Sequence, residues 1–275
     1  MWPQIGPIRM YGVMYLLSFV IHIIVARRQA RRLGLRRRVW LVVSICYLLA
    51  MTVGAKALFD MRHGQISLSA LFSARHYTQG GLWGGMLAYF ALAVPVAMLL
   101  ARHKRAGADL VALAIPLPWI AGKIGCLLHG CCHGKATSLP WAITFPQGAP
   151  GGAPANVPLH PTQIYEILVM VLVIIAFRAL TNSRWRGTML LWFMAIYGLG
   201  RPITEIWRGD LEHRVMLGPL SLSQLICLAT ATLSILILYI LAPYTRTETP
   251  TADTSPKTNE TESRSDTDPP DPAAQ

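Results

Sequence analysis

The chain has 275 residues, of which 53% are hydrophobic and only 14% are charged. This composition argues against one or two ordinary soluble domains. The net charge of +12 does not indicate a nucleic-acid-binding protein, because most of the basic residues are arginines in short loops, where anionic lipid headgroups would hold them.

The apolar residues are gathered in seven blocks, each long enough to cross about 30 Å of hydrocarbon. The blocks cover residues 8–26, 39–59, 81–101, 108–128, 162–180, 187–207 and 219–243. We therefore predict an all-α, polytopic membrane protein with about seven transmembrane helices, and a soluble all-helical protein is the alternative. Residues 1–243 would form the membrane domain. Residues 244–275 are rich in Thr, Ser, Pro and acidic residues, which predicts a disordered tail.

Basic residues in three loops predict the orientation in the membrane. Arginine and lysine are concentrated in residues 27–38, 102–105 and 178–186, which lie on one side if seven helices are counted. That side is then cytoplasmic, with the N-terminus outside and the C-terminal tail inside. A cleavable signal peptide is not expected, because the arginine cluster follows the first apolar block instead of preceding it.

Polar residues are dense in residues 121–134, at the end of the fourth block. This stretch holds Lys123, three cysteines, two histidines and four glycines. Each polar group costs several kcal/mol in hydrocarbon unless it finds a partner, so the stretch indicates a functional site. Other polar residues fall at the same outer ends of the predicted helices, and the gathered set is Tyr11, Lys56, Lys123, His129, His133, His160, Glu166, Arg201, Glu205 and Arg208.

The sixth block ends in a charged stripe. Tyr197, Arg201, Glu205 and Arg208 share one helical face by their spacing, and such a face must point to the bundle interior or a wet cavity. Arginine forks suit phosphate oxygens, and the histidines and carboxylates can exchange protons near neutral pH. The pattern favours an enzyme that acts on an anionic phospholipid.

Structural roles remain open for some of these residues. Tyr11 also fits an aromatic belt at the membrane interface, and Lys56 also fits a side chain that extends outward to water. The glycine pair Gly84 and Gly85, near the start of the third helix, fits either an approach to an anionic headgroup or close helix packing.

Six motifs carry a resemblance to a known family. They occupy residues 11–15, 80–85, 122–134, 160–166, 197–208 and 221–224. In content and order, these motifs resemble the bacterial prolipoprotein diacylglyceryl transferases over residues 8–235. The His-Pro-Thr-Gln-Ile-Tyr-Glu element at residues 160–166 is fairly specific, whereas the glycine pairs alone would be a weak signal.

The resemblance implies a reaction and a location. A diacylglyceryl group would pass from phosphatidylglycerol to the lipobox cysteine thiol of a prolipoprotein in the bacterial inner membrane, with glycerol 1-phosphate released and no metal or cofactor needed. Arg201 and Arg208 would grip the phosphate, Glu205 would orient them, and Tyr11 and Tyr197 would shape the headgroup pocket.

The site residues predicted on this basis form two groups. The catalytic candidates are His129, His133, His160, Arg201 and Glu205. The substrate-binding candidates are Tyr11, Lys56, Gly84, Gly85, Lys123, Gly134, Gln163, Tyr165, Glu166, Tyr197 and Arg208.

The chain departs from the family pattern in its central motif. Lys123 stands where the family has arginine, Cys126 and His129 stand at two asparagines, and Cys131 stands at a glutamate; Trp83 occupies the place of a histidine. A lysine lacks the guanidinium fork, and one of the three candidate histidines would have to serve as the base. The chain is therefore predicted to be a divergent member.

Two other functions are compatible with the sequence. One is a paralogue that binds lipid without transferring it. The other is a membrane metal or redox protein, because Cys126, His129, Cys131, Cys132 and His133 supply soft ligands for zinc or copper. Against a metal site, the paired Cys-x-x-Cys pattern is missing, and two adjacent cysteines on a helix cannot easily point the same way. The small thiols would otherwise serve only tight helix crossing.

Overall fold

The computed structural model describes residues 4–5, 8–54, 57, 82–181, 183, 185–210 and 216–243. Eight α-helices lie within these ranges: α1 (Met10–Arg32), α2 (Arg37–Leu49), α3 (Leu82–Leu100), α4 (Lys104–Leu113), α5 (Pro116–His129), α6 (Thr162–Leu180), α7 (Met189–Ile206) and α8 (Leu222–Leu241). A π-helical turn, Ala50–Gly54, continues α2. Lys56, the polar segment 61–79 and the tail 244–275 lie outside the described residues.

Two short antiparallel hairpins precede helices. Strands β1 (Gln4–Ile5) and β2 (Ile8–Arg9) lead into α1, and strands β3 (Met216–Leu217) and β4 (Leu220–Ser221) lead into α8. The hydroxyl of Ser221 accepts a hydrogen bond from the backbone of Gln224, whose side chain accepts one from the backbone of Ser221. This reciprocal cap fixes the start of α8 and, as shown below, places Ser221 in the candidate site.

The outer surface of the helices is apolar, as a membrane protein requires. Within the described ranges, five helical segments are long and apolar enough to cross a membrane. Large aliphatic side chains point outward on them, such as Leu16 of α1 (67% exposed), Leu172 of α6 (57%) and Leu233 of α8 (57%). A water-soluble protein rarely exposes so much apolar surface. The all-α, multi-pass membrane class is therefore confirmed, and the soluble alternative is not supported.

The fourth apolar block differs from the prediction of one helix over residues 108–128. It forms two helices, α4 and α5, and Pro116 occupies the first turn of α5. Proline has no backbone N–H and cannot continue a helix from the preceding turn, so the chain breaks at Ala114 and Ile115. Helix α5 is largely buried and packs between α1 and α6, which brings its polar C-terminal half to the centre of the bundle.

Helices α7 and α8 cross closely at Gly198. A Cβ atom at this position would lie 2.7 Å from the carbonyl oxygen of Cys227 and 2.9 Å from the Cβ of Ala231. A backbone oxygen cannot move aside as a flexible side chain would. The glycine therefore sets the distance between the two helices that carry Arg201, Glu205 and Ser221.

Replacing Gly198 with alanine should lower the free energy of unfolding by about 1–3 kcal/mol, because the added methyl group overpacks the crossing. Reversible unfolding in mixed micelles measures this loss. The matched control is Gly12→Ala in α1, where no described atom lies within 4 Å of the added Cβ. That change should be neutral or stabilising by up to about 1 kcal/mol. Equal effects of the two changes would contradict the close crossing.

Candidate active site

Three helices and the segment after α7 bring ionic side chains to one buried point around Glu166, in the second turn of α6. Its carboxylate lies 2.8 Å from the Nζ of Lys123, 3.6 Å from Nη1 of Arg201 and 3.7 Å from Nη1 of Arg208. Lys123, Glu166 and Arg201 are each less than 5% exposed. The name Glu166 network is used below for five residues, Lys123, Glu166, Arg201, Glu205 and Arg208. Three cations share the Glu166 carboxylate, and Glu205 and Asp210 are further partners of Arg201 and Arg208.

Arg201 is held on its other side by Glu205, one turn later on α7. Its Nη2 lies 3.2 Å from Oε2 of Glu205. The Glu205 carboxylate in turn accepts hydrogen bonds from the hydroxyls of Ser221 (2.6 Å) and Ser223 (2.8 and 2.9 Å). With its carboxylate fixed by α8, Glu205 sets the plane of the guanidinium. Among the described residues, Nε of Arg201 has no hydrogen-bond acceptor, and Nη1 has only the 3.6 Å ion pair with Glu166.

Three chain segments cross at Gly134, next to the Glu166 network. The N–H of Gly134 donates to the carbonyl oxygen of His160, and residue 134 forms a β-bridge with Arg208. A Cβ at Gly134 would lie 2.4 Å from the carbonyl oxygen of His160 and 2.9 Å from that of Trp207. The site needs glycine here because these segments approach too closely for a side chain. The crossing positions Arg208 and His160.

A turn after α5 brings three thiols together. Gly130 ends the helix at φ +80°, and Cys132 has φ +57°, a region that a residue with a Cβ rarely occupies. The Sγ atoms of Cys126, Cys131 and Cys132 all lie within 4.8 Å of one another. These three residues are called the three-cysteine cluster below. Because the helix ends at His129, the objection that adjacent cysteines on a helix diverge does not apply.

The start of α6 holds the three-cysteine cluster in place. The side-chain N–H of Gln163 donates to the carbonyl oxygen of Cys131 at 2.7 Å, and the hydroxyl of Thr162 donates to that of Cys132. The pKa of the Cys132 thiol lies well below its usual range, because the other two thiols donate hydrogen bonds to its thiolate and the charges of Lys123 and Arg208 act on it.

The three candidate histidines lie in different surroundings. The ring of His129 packs on Tyr11, with centroids 4.8 Å apart. Nδ1 of His160 lies 3.1 Å from the hydroxyl of Tyr165, which also accepts a hydrogen bond from the indole of Trp141. Nδ1 of His133 lies 3.2 Å from the carbonyl oxygen of Gly134.

Not every predicted site residue joins this group. A Cβ at Gly85 would lie 3.1 Å from the Cα of Met51, so the contact seen for the glycine pair is helix packing, while Gly84 is buried beside it. Arg208 lies beyond the end of α7 at Ile206 and not on a continuous helical face. It nevertheless reaches Glu166, because the bridge to Gly134 turns the chain back toward the bundle.

Sequence reasoning missed the partners that orient the charged residues. Ser221 and Ser223 hold Glu205, and Asp210 pairs with Arg208 through Nε at 2.8 Å. The Ser-x-x-Gln spacing at Ser221 predicts a helix cap. Its contact with a carboxylate sixteen residues earlier depends on how α7 and α8 pack, for which the sequence has no local signal.

Comparison with known proteins gives a consistent result. The sequence profile described as prolipoprotein diacylglyceryl transferase matches residues 2–240. A protein of Geobacter sulfurreducens named phosphatidylglycerol–prolipoprotein diacylglyceryl transferase is 31% identical over 250 residues, which cover 82% of this chain and 91% of the relative. A protein of the same name from Nitrosomonas europaea is 30% identical over 257 residues, covering 86% and 87%. The chain belongs to the prolipoprotein diacylglyceryl transferase family.

Proposed function

We propose that this protein transfers a diacylglyceryl group from phosphatidylglycerol to the lipobox cysteine thiol of a prolipoprotein. The sulfur of the thiolate attacks the glyceryl CH₂ that carries the phosphate, and a C–S bond forms. The C–O bond breaks, and its electron pair stays on the phosphate oxygen of the departing glycerol 1-phosphate. The thiol proton passes to a base of the site and from there to solvent. A paralogue that only binds lipid is not favoured, because family relatives that share most of the chain carry the transferase name.

Charge on the phosphate grows during this reaction. The phosphodiester of the donor carries one negative charge, and the released phosphomonoester carries two near neutral pH. Cations that contact the phosphate therefore bind the transition state more tightly than the ground state, which accelerates the reaction. The Glu166 network supplies Lys123, Arg201 and Arg208 for this purpose.

The observation that carries the proposal is the state of the Arg201 guanidinium. It is buried, yet its Nε finds no hydrogen-bond acceptor among the described residues, and its Nη1 has only the 3.6 Å ion pair with Glu166. Leaving a buried donor unpaired costs about 1–3 kcal/mol. A phosphate oxygen would accept a charge-assisted hydrogen bond from Nε. The buried hydroxyl of Tyr197, also without a described partner, would serve as a further donor.

A cavity beside Glu205 supports a lipid donor. Its volume is about 550 Å³, within the range of about 300–1,000 Å³ that is typical of small-molecule sites. Pro202, Ile206, Met216 and Leu220 give it a mainly apolar wall next to that carboxylate. We propose that an acyl chain of the donor lies there, while the headgroup lies against the Glu166 network.

Hydrogen bonding distinguishes the three candidate bases. A carbonyl oxygen only accepts, so the contact with Gly134 places the proton of neutral His133 on Nδ1 and leaves Nε2 with its lone pair. The contact of His160 with Tyr165 fixes no tautomer, since a hydroxyl both donates and accepts. We propose that His133 receives the acceptor proton, with His129 and His160 shaping the pocket.

The arrangement of the helices supports seven membrane crossings. Site residues fall at the start of α1, α6 and α8 and at the end of α5 and α7, as expected for a chain that crosses back and forth. With the arginine-rich loops at the opposite ends, we propose that the N-terminus and the site face outward from the bacterial inner membrane. Residues 1–243 would be the catalytic unit and residues 244–275 a cytoplasmic tail.

Purified protein incubated with phosphatidylglycerol labelled in its acyl chains and a lipobox peptide should form a labelled thioether and release unlabelled glycerol 1-phosphate. Mass spectrometry identifies both products. A peptide with serine in place of the lipobox cysteine is the control and should stay unmodified, because a hydroxyl is a far weaker nucleophile than a thiolate. Absence of the thioether with several anionic lipids would contradict the transferase proposal and favour lipid binding alone.

A further inference from the structure

Phosphate binding is assigned to the Glu166 network and does not involve the three-cysteine cluster. The geometry of the cluster therefore needs a separate explanation. Cys126 is buried, while Cys131 and Cys132 are half-buried, so the cluster has one closed side and one open side. The chain also holds Cys132 at a positive φ, a conformation that costs of order 1–3 kcal/mol for a residue with a side chain. Backbone strain of this kind is typical of functional sites.

The distances between the thiols match a metal site. Zinc bound by thiolates has Zn–S bonds of about 2.3 Å, which places the sulfurs of a tetrahedral site about 3.8 Å apart. The three Sγ atoms already lie within 4.8 Å of one another, so small side-chain rotations suffice. The group of candidate ligands found among the described residues contains these three thiols and no fourth member. Three protein ligands with one open position are typical of catalytic zinc.

The cluster also adjoins the site of the proposed reaction. Lys123 and Arg208 act electrostatically on Cys132, and so does Glu166. The two cations favour the negative charge that a zinc ion with three or four thiolates carries. Tyr11 and His129 lie on the α1 side, near Cys126. An acceptor bound at the cluster would therefore be next to a phosphate bound by the Glu166 network.

We propose that Cys126, Cys131 and Cys132 bind one Zn²⁺ as thiolates and that the open fourth position takes the thiol of the acceptor. This inference rests on the transferase function proposed above. Zinc lowers the pKa of the acceptor thiol, the thiol proton passes to His133 and then to bulk water, and the bound thiolate is the nucleophile. Its sulfur forms the C–S bond as the C–O bond breaks toward the phosphate. The thioether product is a neutral and weaker ligand, so it leaves the metal.

Zinc binding is tested on the full chain in detergent, kept reduced so that all five cysteines titrate as free thiols. After equilibration with zinc and removal of loosely bound ion, about one zinc per chain should remain. Cobalt in place of zinc should give a sulfur-to-cobalt charge-transfer band. The band should be lost in each of three single variants, Cys126→Ser, Cys131→Ser and Cys132→Ser. The control variant Cys46→Ala should keep the band, because Cys46 is a buried cysteine of α2 and not part of the cluster.

The acceptor position has a separate readout. Adding the lipobox peptide to the cobalt form should shift its visible spectrum, and the serine peptide should not. In the transfer assay at pH 7, removal of zinc should lower the rate by up to about 30-fold, because a free thiol of pKa about 8.5 is only about 3% thiolate at that pH. Zinc added back should restore the rate.

Each outcome bears on a different claim. No zinc on fully reduced protein, or a disulfide within the cluster that persists under reduction, overturns the metal site. Equal transfer rates with and without zinc overturn the acceptor role but leave the transferase function standing. Zinc binding with a peptide-dependent cobalt spectrum and no thioether product contradicts the transferase function and not the metal site.

Discussion

Replacing Glu166 with glutamine should abolish lipid transfer and lower the free energy of unfolding by about 3–5 kcal/mol. The carboxylate lies within 3.7 Å of Lys123, Arg201 and Arg208 and is 2% exposed. Its loss leaves buried cations without their shared counter-charge, and removal of one member of a buried pair has effects of this size. Thermal or denaturant unfolding in detergent and the thioether assay measure the two quantities.

A second change at the same site separates charge balance from catalysis. The double variant Glu166→Gln with Lys123→Met removes one charge of each sign, so stability should largely return, because a buried ion pair can be exchanged for neutral groups at little cost. Transfer should remain absent, since Arg201 and Arg208 have lost the group that aligns them. Asp210→Asn is the control: its pair with Arg208 is partly exposed (Asp210 side chain 32%), so stability should change by less than about 1 kcal/mol.

If the single Glu166→Gln variant were as stable as the unchanged protein, the three cations would not depend on that carboxylate. A double variant that recovered transfer would show that neither Lys123 nor Glu166 takes part in binding the lipid headgroup. The second result would remove Lys123 and Glu166 from the mechanism.

The membrane class follows from the sequence because apolar blocks are long-range averages over about twenty residues. The residues at which each helix begins and ends cannot be predicted from such averages. Pro116 divides the fourth block, although the block as a whole has the length of one crossing. Proline is visible in the sequence, but whether it kinks a helix or starts a new one depends on the packing of the chain before it.

The charged members of the candidate site could be predicted because an ionic side chain within an apolar block has a high free-energy cost, which indicates a function. The residues that contact these charged side chains could not be predicted from the sequence. The convergence of Cys126, Cys131 and Cys132 depends on two residues with positive φ after α5, and a periodicity argument that continued the helix placed the thiols apart. Likewise, the hold of Ser221 and Ser223 on Glu205 arises from the close crossing at Gly198.

Replacing Arg201 with lysine should lower the transfer rate by about 10²–10³-fold while the protein stays folded and inserted. Removal of one donor that stabilises charge in a transition state has effects of this size. Lysine keeps the positive charge between Glu166 and Glu205, so the buried carboxylates remain compensated. Lysine cannot contact both carboxylates and still present a further donor to a phosphate, as the guanidinium does through Nε.

The loss should appear in kcat more than in KM. The donor's single negative charge is still attracted by the lysine, whereas the second charge, which develops only as the C–O bond breaks, meets fewer fixed donors. Arg178→Lys, at the exposed end of α6, is the matched control and should leave the rate unchanged. Arg201→Ala should also abolish transfer, but it leaves two buried carboxylates with one cation fewer and confounds stability with catalysis. An Arg201→Lys variant with an unchanged kcat would show that the guanidinium orients Glu205 and does not bind the leaving phosphate.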